Sequence, residues 1–208
     1  MEAVSYREMA LADLLDAFAS SDAVPGGGSA AALAGALGAS LLLMVARMSK
    51  TKSGAPEETA DLSEAAGRLQ SLRDRLLELV DEDSDAYRRV RTALRLPRST
   101  DTENAARTTA VDDAMRAATE TPLDTMRACQ QALCGAVVVA ANGNRNASSD
   151  VGVGIELLAA ALRGARMNVD INLAALTDAA YISRVREEAG ELERDAAADA
   201  DAVRRALE

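Results

Sequence analysis

The chain has 208 residues, 33 acidic against 23 basic side chains, a formal charge of −10 and no histidine. The length fits one domain with a sizeable core, and the acidic balance argues against nucleic acid as a partner, since phosphate neutralisation needs basic surface. Without histidine, Ser-His-Asp and Cys-His nucleophilic schemes are excluded, and proton transfer falls to Asp, Glu, Lys, Tyr or bound water.

Ser5-Tyr6-Arg7-Glu8 reads as a capping box opening an amphipathic helix to about Ala19, with Leu11, Leu14, Leu15 and Phe18 on one face. Val24-Pro25-Gly26-Gly27-Gly28-Ser29 follows and leads into the uncharged run Ala30 to Ala46. Three glycines leave the backbone bare and free to adopt positive φ, and Ser29 stands at an N-cap position. The first amides of such a helix lack intrahelical partners and lie at the positive end of the macrodipole, which suits an anionic or electron-rich ligand group. The same residues also fit a plain tight turn into a close-packed helix. No preceding strand and no suitably placed lysine followed by Ser or Thr make it a nucleotide loop. The helix is apolar on all sides and belongs inside a bundle. Its Ala and Gly content, and a length short of roughly 20 strongly apolar residues, argue against a membrane span.

Pro56 is placed for the first turn of a helix running from about Glu57 to Leu94, with Leu62, Leu69, Leu72, Leu76, Leu79 and Val80 at helical spacing. Residues 95–101 break the pattern, and helix resumes near Thr102. Thr121-Pro122 should kink or restart it before it ends at Gly143. Ser148-Ser149-Asp150 caps another helix to about Arg166, and the last runs from about Val169 to Ala206. No strand is visible, so residues 1–208 are expected to form one all-α, up-and-down helical bundle.

Aromatics make up only 2% of the chain, so Ala, Leu, Val and Met must form the core at short interhelical distances. Residues 1–10 carry Glu2, Arg7 and Glu8 and no signal-peptide core. Cys129 and Cys134, five apart on a helical pattern, make a poor disulfide and read as reduced core residues of a cytoplasmic protein. With no histidine, two cysteines cannot make a zinc site, so no metal is expected.

Three polar islands interrupt the apolar helices. Arg47, Ser49, Lys50 and Lys52 stand at the far end of the buried helix, where cations also simply complement a C-terminus. Asp81-Glu82-Asp83-Ser84-Asp85 puts four carboxylates inside a periodic helix. Such a run is usually solvated, but neighbours two apart lie on different faces, so at least one must turn inward. The third island comprises Gly143-Asn144-Arg145-Asn146, Ser149-Asp150, and Asn168, Asp170 and Asn172. Part of it is capping, yet Asn168 and Asn172 share one face of an apolar helix, and amides facing a bundle interior need partners.

At these residues the chain resembles the formiminotetrahydrofolate cyclodeaminases and the related methenyltetrahydrofolate cyclohydrolases. The likeness begins at Pro25-Gly26-Gly27-Gly28-Ser29 with the Ala-rich helix after it, and continues through Asp83 with Ala86-Tyr87 and through Leu96-Pro97-Arg98 with Thr100-Asp101. It returns at Gly143-Asn144, Ser149-Asp150, and Asn168-Val169 with Ile171-Asn172. Where the family often carries Thr-x-Gly-Lys, this chain has Ser49-Lys50-Thr51-Lys52, keeping the lysine and losing the glycine. The resemblance implies an all-helical homodimer, associating through helices, that binds a reduced folate in a groove between helices or subunits, with no prosthetic group and no membrane. On that reading Lys52 exchanges a proton with water or substrate, and Asp83 is the carboxylate facing the folate. Gly26, Gly27, Gly28 and Ser29 present donors, Arg98 joins the binding residues, and Asn144, Asp150, Asn168 and Asn172 bond the pterin or order the loop. The segment from Leu96 to Asp101 and the missing formiminotransferase domain favour the cyclohydrolase. The alternatives are an ammonia-releasing cyclodeaminase and a non-enzymatic helical scaffold.

Overall fold

Alanine, leucine and arginine are abundant in this chain, and such residues lose little conformational freedom on entering a helix. The computed structural model describes residues 5–208. They form α1 (Leu11–Ala19), α2 (Gly27–Ala46), α3 (Pro56–Leu94), α4 (Asp101–Asn142), α5 (Ser148–Leu173) and α6 (Ala179–Leu207), with short 3-10 turns at Tyr6–Glu8 and Arg145–Ala147. Helices α2, α3, α4 and α5 close into a four-membered ring, and α6 lies along α4 and α5. The all-α bundle expected from the apolar spacing is the fold observed.

Helix α2 is held closely on two sides. A methyl group on Gly35 would meet Cys129 Sγ at 2.9 Å, and one on Gly38 would meet the Gly154 carbonyl at 2.7 Å, so only glycine admits these approaches. Gly27 faces Asn168 and Gly38 faces Gly154, which makes α2 and α5 antiparallel. Leu42, Leu69, Leu76, Leu79, Leu123, Met126, Leu133, Ile155 and Leu158 fill the space between the helices. Extended to 20 residues with a mean hydropathy of 2.0, α2 is long and apolar enough to cross a membrane, yet 61% of that stretch is buried within the bundle. The expectation that it falls short in length is corrected, because the glycine turn itself contributes the first turn of helix.

Several local expectations are also corrected. Ser5 does not cap α1: its hydroxyl donates to Asp81 Oδ2 at 2.9 Å, and the helix opens only at Leu11. The N-cap of α2 is Gly26, with Gly27 and Gly28 already helical and Ser29 one residue further in. Among the described residues only Gly54 has positive φ, at 86°. Left-handed backbone is therefore not what the triplet supplies, and within it only Gly28 is required by a close approach, that of Asp83.

Pro122 does not restart a helix, since α4 continues through it. Its missing N–H leaves the Ala118 carbonyl, four residues back, without its helical partner, and Asn172 Nδ2 from α5 supplies the bond at 2.7 Å. The break placed near Asn168 falls instead at residues 174–178, where Asp178 caps α6 by accepting from the Ala180 and Tyr181 amides. Asn168 stays helical, turning its amide back to the Gly164 carbonyl at 2.9 Å. Cys129 is buried, but Cys134 is exposed and not a core residue, and both thiols are free.

Candidate active site

The acidic run on α3 sorts its carboxylates onto different partners, with Glu82 and Asp85 remaining half-exposed and Asp81 largely covered. Asp81 accepts the Tyr6 amide at 2.6 Å and the Ser5 hydroxyl, Glu82 pairs with Arg75 at 2.6 Å, and Asp85 pairs with Arg88 at 2.7 Å. Asp83 alone turns toward the start of α2. Its Oδ2 accepts from the Ser29 amide at 2.8 Å and lies 3.0 Å from the Ser29 hydroxyl. Its Oδ1 rests over Gly28, where a Cβ would stand only 2.1 Å away. Gly28 is thus required by the carboxylate above it.

Among the described residues no cation pairs with Asp83. Burial pushes its pKa above the ordinary aspartate value, opposed in part by the two hydrogen bonds from Ser29. The Ser29 hydroxyl also lies 2.8 Å from the Val80 carbonyl and 3.1 Å from Ser84 Oγ. A hydroxyl has a single proton to donate. With Asp83 ionised, Ser29 can turn that proton to the carboxylate; with Asp83 protonated, it can turn to Val80. The pair can therefore take up and release a proton with little movement, as a general base requires.

Asn168 stands beside the glycine turn, its Nδ2 lying 3.8 Å from where a Gly27 Cβ would be. Asn172, one turn further along α5, has its amide nitrogen committed to Ala118. The sequence reasoning that its amide needs a partner holds, but the partner found is the carbonyl orphaned by Pro122. Because Asp83 occupies the Ser29 amide, the donors left at the glycine turn are the Gly26, Gly27 and Gly28 amides. Ser84 and the Val80 carbonyl were missed in the sequence. The signal was available, since both fall within a turn of Asp83 on α3.

The other candidates lie elsewhere. Lys52 sits past the C-terminus of α2, which at 1.5 Å per residue is about 30 Å from the glycine turn. Its backbone amide donates to the Asn142 carbonyl at 2.9 Å, and its exposed side chain borders a hollow of about 290 Å³ with Asn144, Arg145 and Ser148. Asn144 caps the Arg145–Ala147 turn by accepting from the Asn146 amide at 3.0 Å, and Asp150 stands in the first turn of α5. Arg98 is exposed on the loop between α3 and α4. One chain therefore presents two clusters at opposite ends of α2: Gly26 to Ser29 with Asp83 and Asn168, and Lys52 with Asn144, while Asp150 is not among the residues lining the Lys52 hollow.

An alanine-rich helical bundle with a half-buried, cation-free carboxylate under a glycine turn has the makings of a small-molecule enzyme. The sequence profile of the formiminotransferase-cyclodeaminase family matches residues 10–191, and the chain belongs to that family. It is 40% identical over 167 residues to a methenyltetrahydrofolate cyclohydrolase from Methylorubrum extorquens, covering 80% of each chain. It is 34% identical over 174 residues to the formimidoyltransferase-cyclodeaminase of Gallus gallus, covering 80% of this chain but 32% of that one. The crystal structure of a formiminotetrahydrofolate cyclodeaminase from Thermotoga maritima has the same fold, with a TM-score of 0.86 over 96% of each chain at 24% identity.

Proposed function

We propose that this chain is a methenyltetrahydrofolate cyclohydrolase, converting the 5,10-methenyl bridge to a formyl group on N10. The observation that carries the reading is Asp83: half-buried, without a cation among the described residues, and with Oδ2 bonded to Ser29 while Oδ1 rests over Gly28. The substrate carbon is part of an amidinium cation, which a carboxylate attracts and the acidic chain as a whole favours. Asp83 accepts one proton from water as the water oxygen bonds to the bridge carbon, giving a neutral carbinol. N5 then takes up a proton and the carbon–N5 bond breaks while the carbinol hydroxyl gives up its remaining proton, leaving that oxygen as the formyl carbonyl on N10. One water is consumed and one proton released, so acid-base chemistry suffices without a prosthetic group.

The two separated clusters support a homodimer. On α2, Leu33, Leu37, Leu41 and Met44 form an outward apolar stripe, continued on α5 by Val153, Met167 and Ile171. A two-fold axis across α2 near Leu37 would bury both stripes and carry Lys52 of the partner subunit toward the glycine turn. Lys52 then serves as the acid that supplies the proton to N5. The two free thiols suit a reducing compartment such as the cytoplasm.

The test is loss of methenyltetrahydrofolate absorbance near neutral pH, with non-enzymatic hydrolysis subtracted. No rate above that background from folded protein would reject the proposal. The second reading, a cyclodeaminase, is favoured by the Gallus gallus relative's name. We expect hydrolysis to exceed ammonia release from 5-formiminotetrahydrofolate by about tenfold or more in kcat/KM, a difference of about 1.4 kcal/mol. Faster ammonia release would reverse the order.

A further inference from the structure

We propose that Tyr6 is a positioning residue for the glycine turn, acting through an N-terminal strap that crosses α3. The strap is pinned by Asp81, whose Oδ1 accepts the Tyr6 amide at 2.6 Å and the Arg7 amide at 3.3 Å, while Oδ2 accepts the Ser5 hydroxyl at 2.9 Å. This fastening drives the Tyr6 ring into the core, where it is 6% exposed. The hydroxyl emerges on the far side and donates to the Val24 carbonyl at 3.3 Å. It also accepts from Arg88 at 3.0 Å, and that guanidinium is fixed in turn by Asp85 at 2.7 Å.

The turn needs such a hold. Gly26, Gly27 and Gly28 have no side chains with which to grip the bundle, so apart from the buried ring of Pro25 the segment is located by its ends. At one end Ser29 is bonded to Asp83 and Val80. At the other end the Val24 carbonyl is bonded to Tyr6. The turn is strung between these anchors, and the Gly27 and Gly28 amides point where the second anchor sets them. Removing the tyrosine hydroxyl leaves Asp83 and its contacts with Ser29 in place but frees the Val24 end. Ligand binding should suffer more than chemistry.

This inference rests on the folate reading for its kinetic arm only. In Tyr6→Phe the ring is kept and the hydroxyl lost. KM for methenyltetrahydrofolate should rise about five- to tenfold, the equivalent of one net hydrogen bond, with kcat within about twofold. Tyr181→Phe is the control: it loses a comparable hydroxyl, bonded to Glu120 at 3.0 Å on the α4–α6 side, and should leave KM unchanged. An unchanged KM in Tyr6→Phe, or an equal rise in both variants, overturns the proposal. The second arm needs no substrate. Hydrogen exchange at the Ala30 amide, which donates to the Gly26 carbonyl at 3.0 Å, should quicken about fivefold or more in Tyr6→Phe while the Ser29 amide held by Asp83 does not change, and unchanged exchange at Ala30 also overturns it. If the wild type shows no folate activity, the functional reading fails and amide exchange still decides the strap. Should Tyr6→Phe not fold, Arg88→Met removes the support of the same hydroxyl and is judged by the same criteria.

Discussion

Replacing Gly28 by alanine adds a single methyl group at the most crowded point of the proposed site. The new Cβ would lie 2.1 Å from Asp83 Oδ1, 2.5 Å from its Cγ and 2.8 Å from its Oδ2, so the whole carboxylate is in the way. Reaching ordinary contact near 3.4 Å requires a retreat of about 1.3 Å. Asp83 is tied to the Ser29 amide and hydroxyl at 2.8 and 3.0 Å, and a shift of that size breaks both bonds. Overpacking costs about 1–3 kcal/mol, and the lost bonds to a charged group about 1–3 kcal/mol more. For a chain of this size that is a fall in Tm of roughly 5–20 °C. Turnover should fall on the order of 10²-fold, because the base no longer reaches the attacking water. Gly27→Ala is the matched comparison, with nothing closer than Asn168 Nδ2 at 3.8 Å, and should melt at or slightly above the wild-type temperature. Thermal melts and initial rates on both variants decide the matter. A Gly28→Ala protein that melts and turns over like Gly27→Ala would refute the close approach of Asp83 to the helix.

Asp83→Asn should lower turnover by about 10²-fold or more while sparing the fold. Burial raises the pKa of Asp83, so its contribution to stability is full below the unfolded aspartate value, near 3.9, and is lost as pH rises through the folded one. Urea melts should therefore show Asp83→Asn gaining stability relative to wild type as pH rises above about 4, the unfolded aspartate value, and a constant difference would contradict the buried, charge-disfavouring site. Asn172→Ala should cost about 1–3 kcal/mol by stranding the Ala118 carbonyl; in a Pro122→Ala background, where residue 122 regains its N–H, the same substitution should cost clearly less, and an equal cost by double-mutant cycle would dismiss the pairing. Mixing unfolded Lys52→Met with Asp83→Asn and refolding them together should restore about a quarter of wild-type activity if each site draws on both subunits, whereas no recovery would confine the site to one chain.

The helices were legible because their apolar spacing is regular and their caps and breaks follow local chemistry. What escaped was set by contacts between helices. Ser29 has the composition of a cap, but Asp83, 54 residues away, takes its amide and hydroxyl, and the helix starts earlier on glycine. Pro122 carries a strong local signal for a break, yet a side chain from α5 repairs the backbone it disrupts. Thr100 and Glu103 do form a reciprocal capping box at the start of α4, while the similar pattern at Ser5 does not, because Asp81 claims both the Ser5 hydroxyl and the Tyr6 amide. Within the site, Asp83 was separable from its neighbours only as one of four carboxylates with a face to choose. The distance between Lys52 and the glycine turn was implicit in the length of α2 and could be read only once that helix was known to be continuous.

The bond from Asn172 to Ala118 also bears on how this sequence can change. A chain that gains a proline at position 122 before it holds an amide at 172 has a carbonyl with no helical partner, and one that loses the proline first has an asparagine side chain without its bond. Either order passes through a less stable intermediate, and an apolar residue at 172 becomes acceptable only after the proline has gone. The two positions are far apart in sequence and on different helices, yet they should change together among relatives. An asparagine at 172 should then mark a proline at 122 more faithfully than it marks any particular reaction.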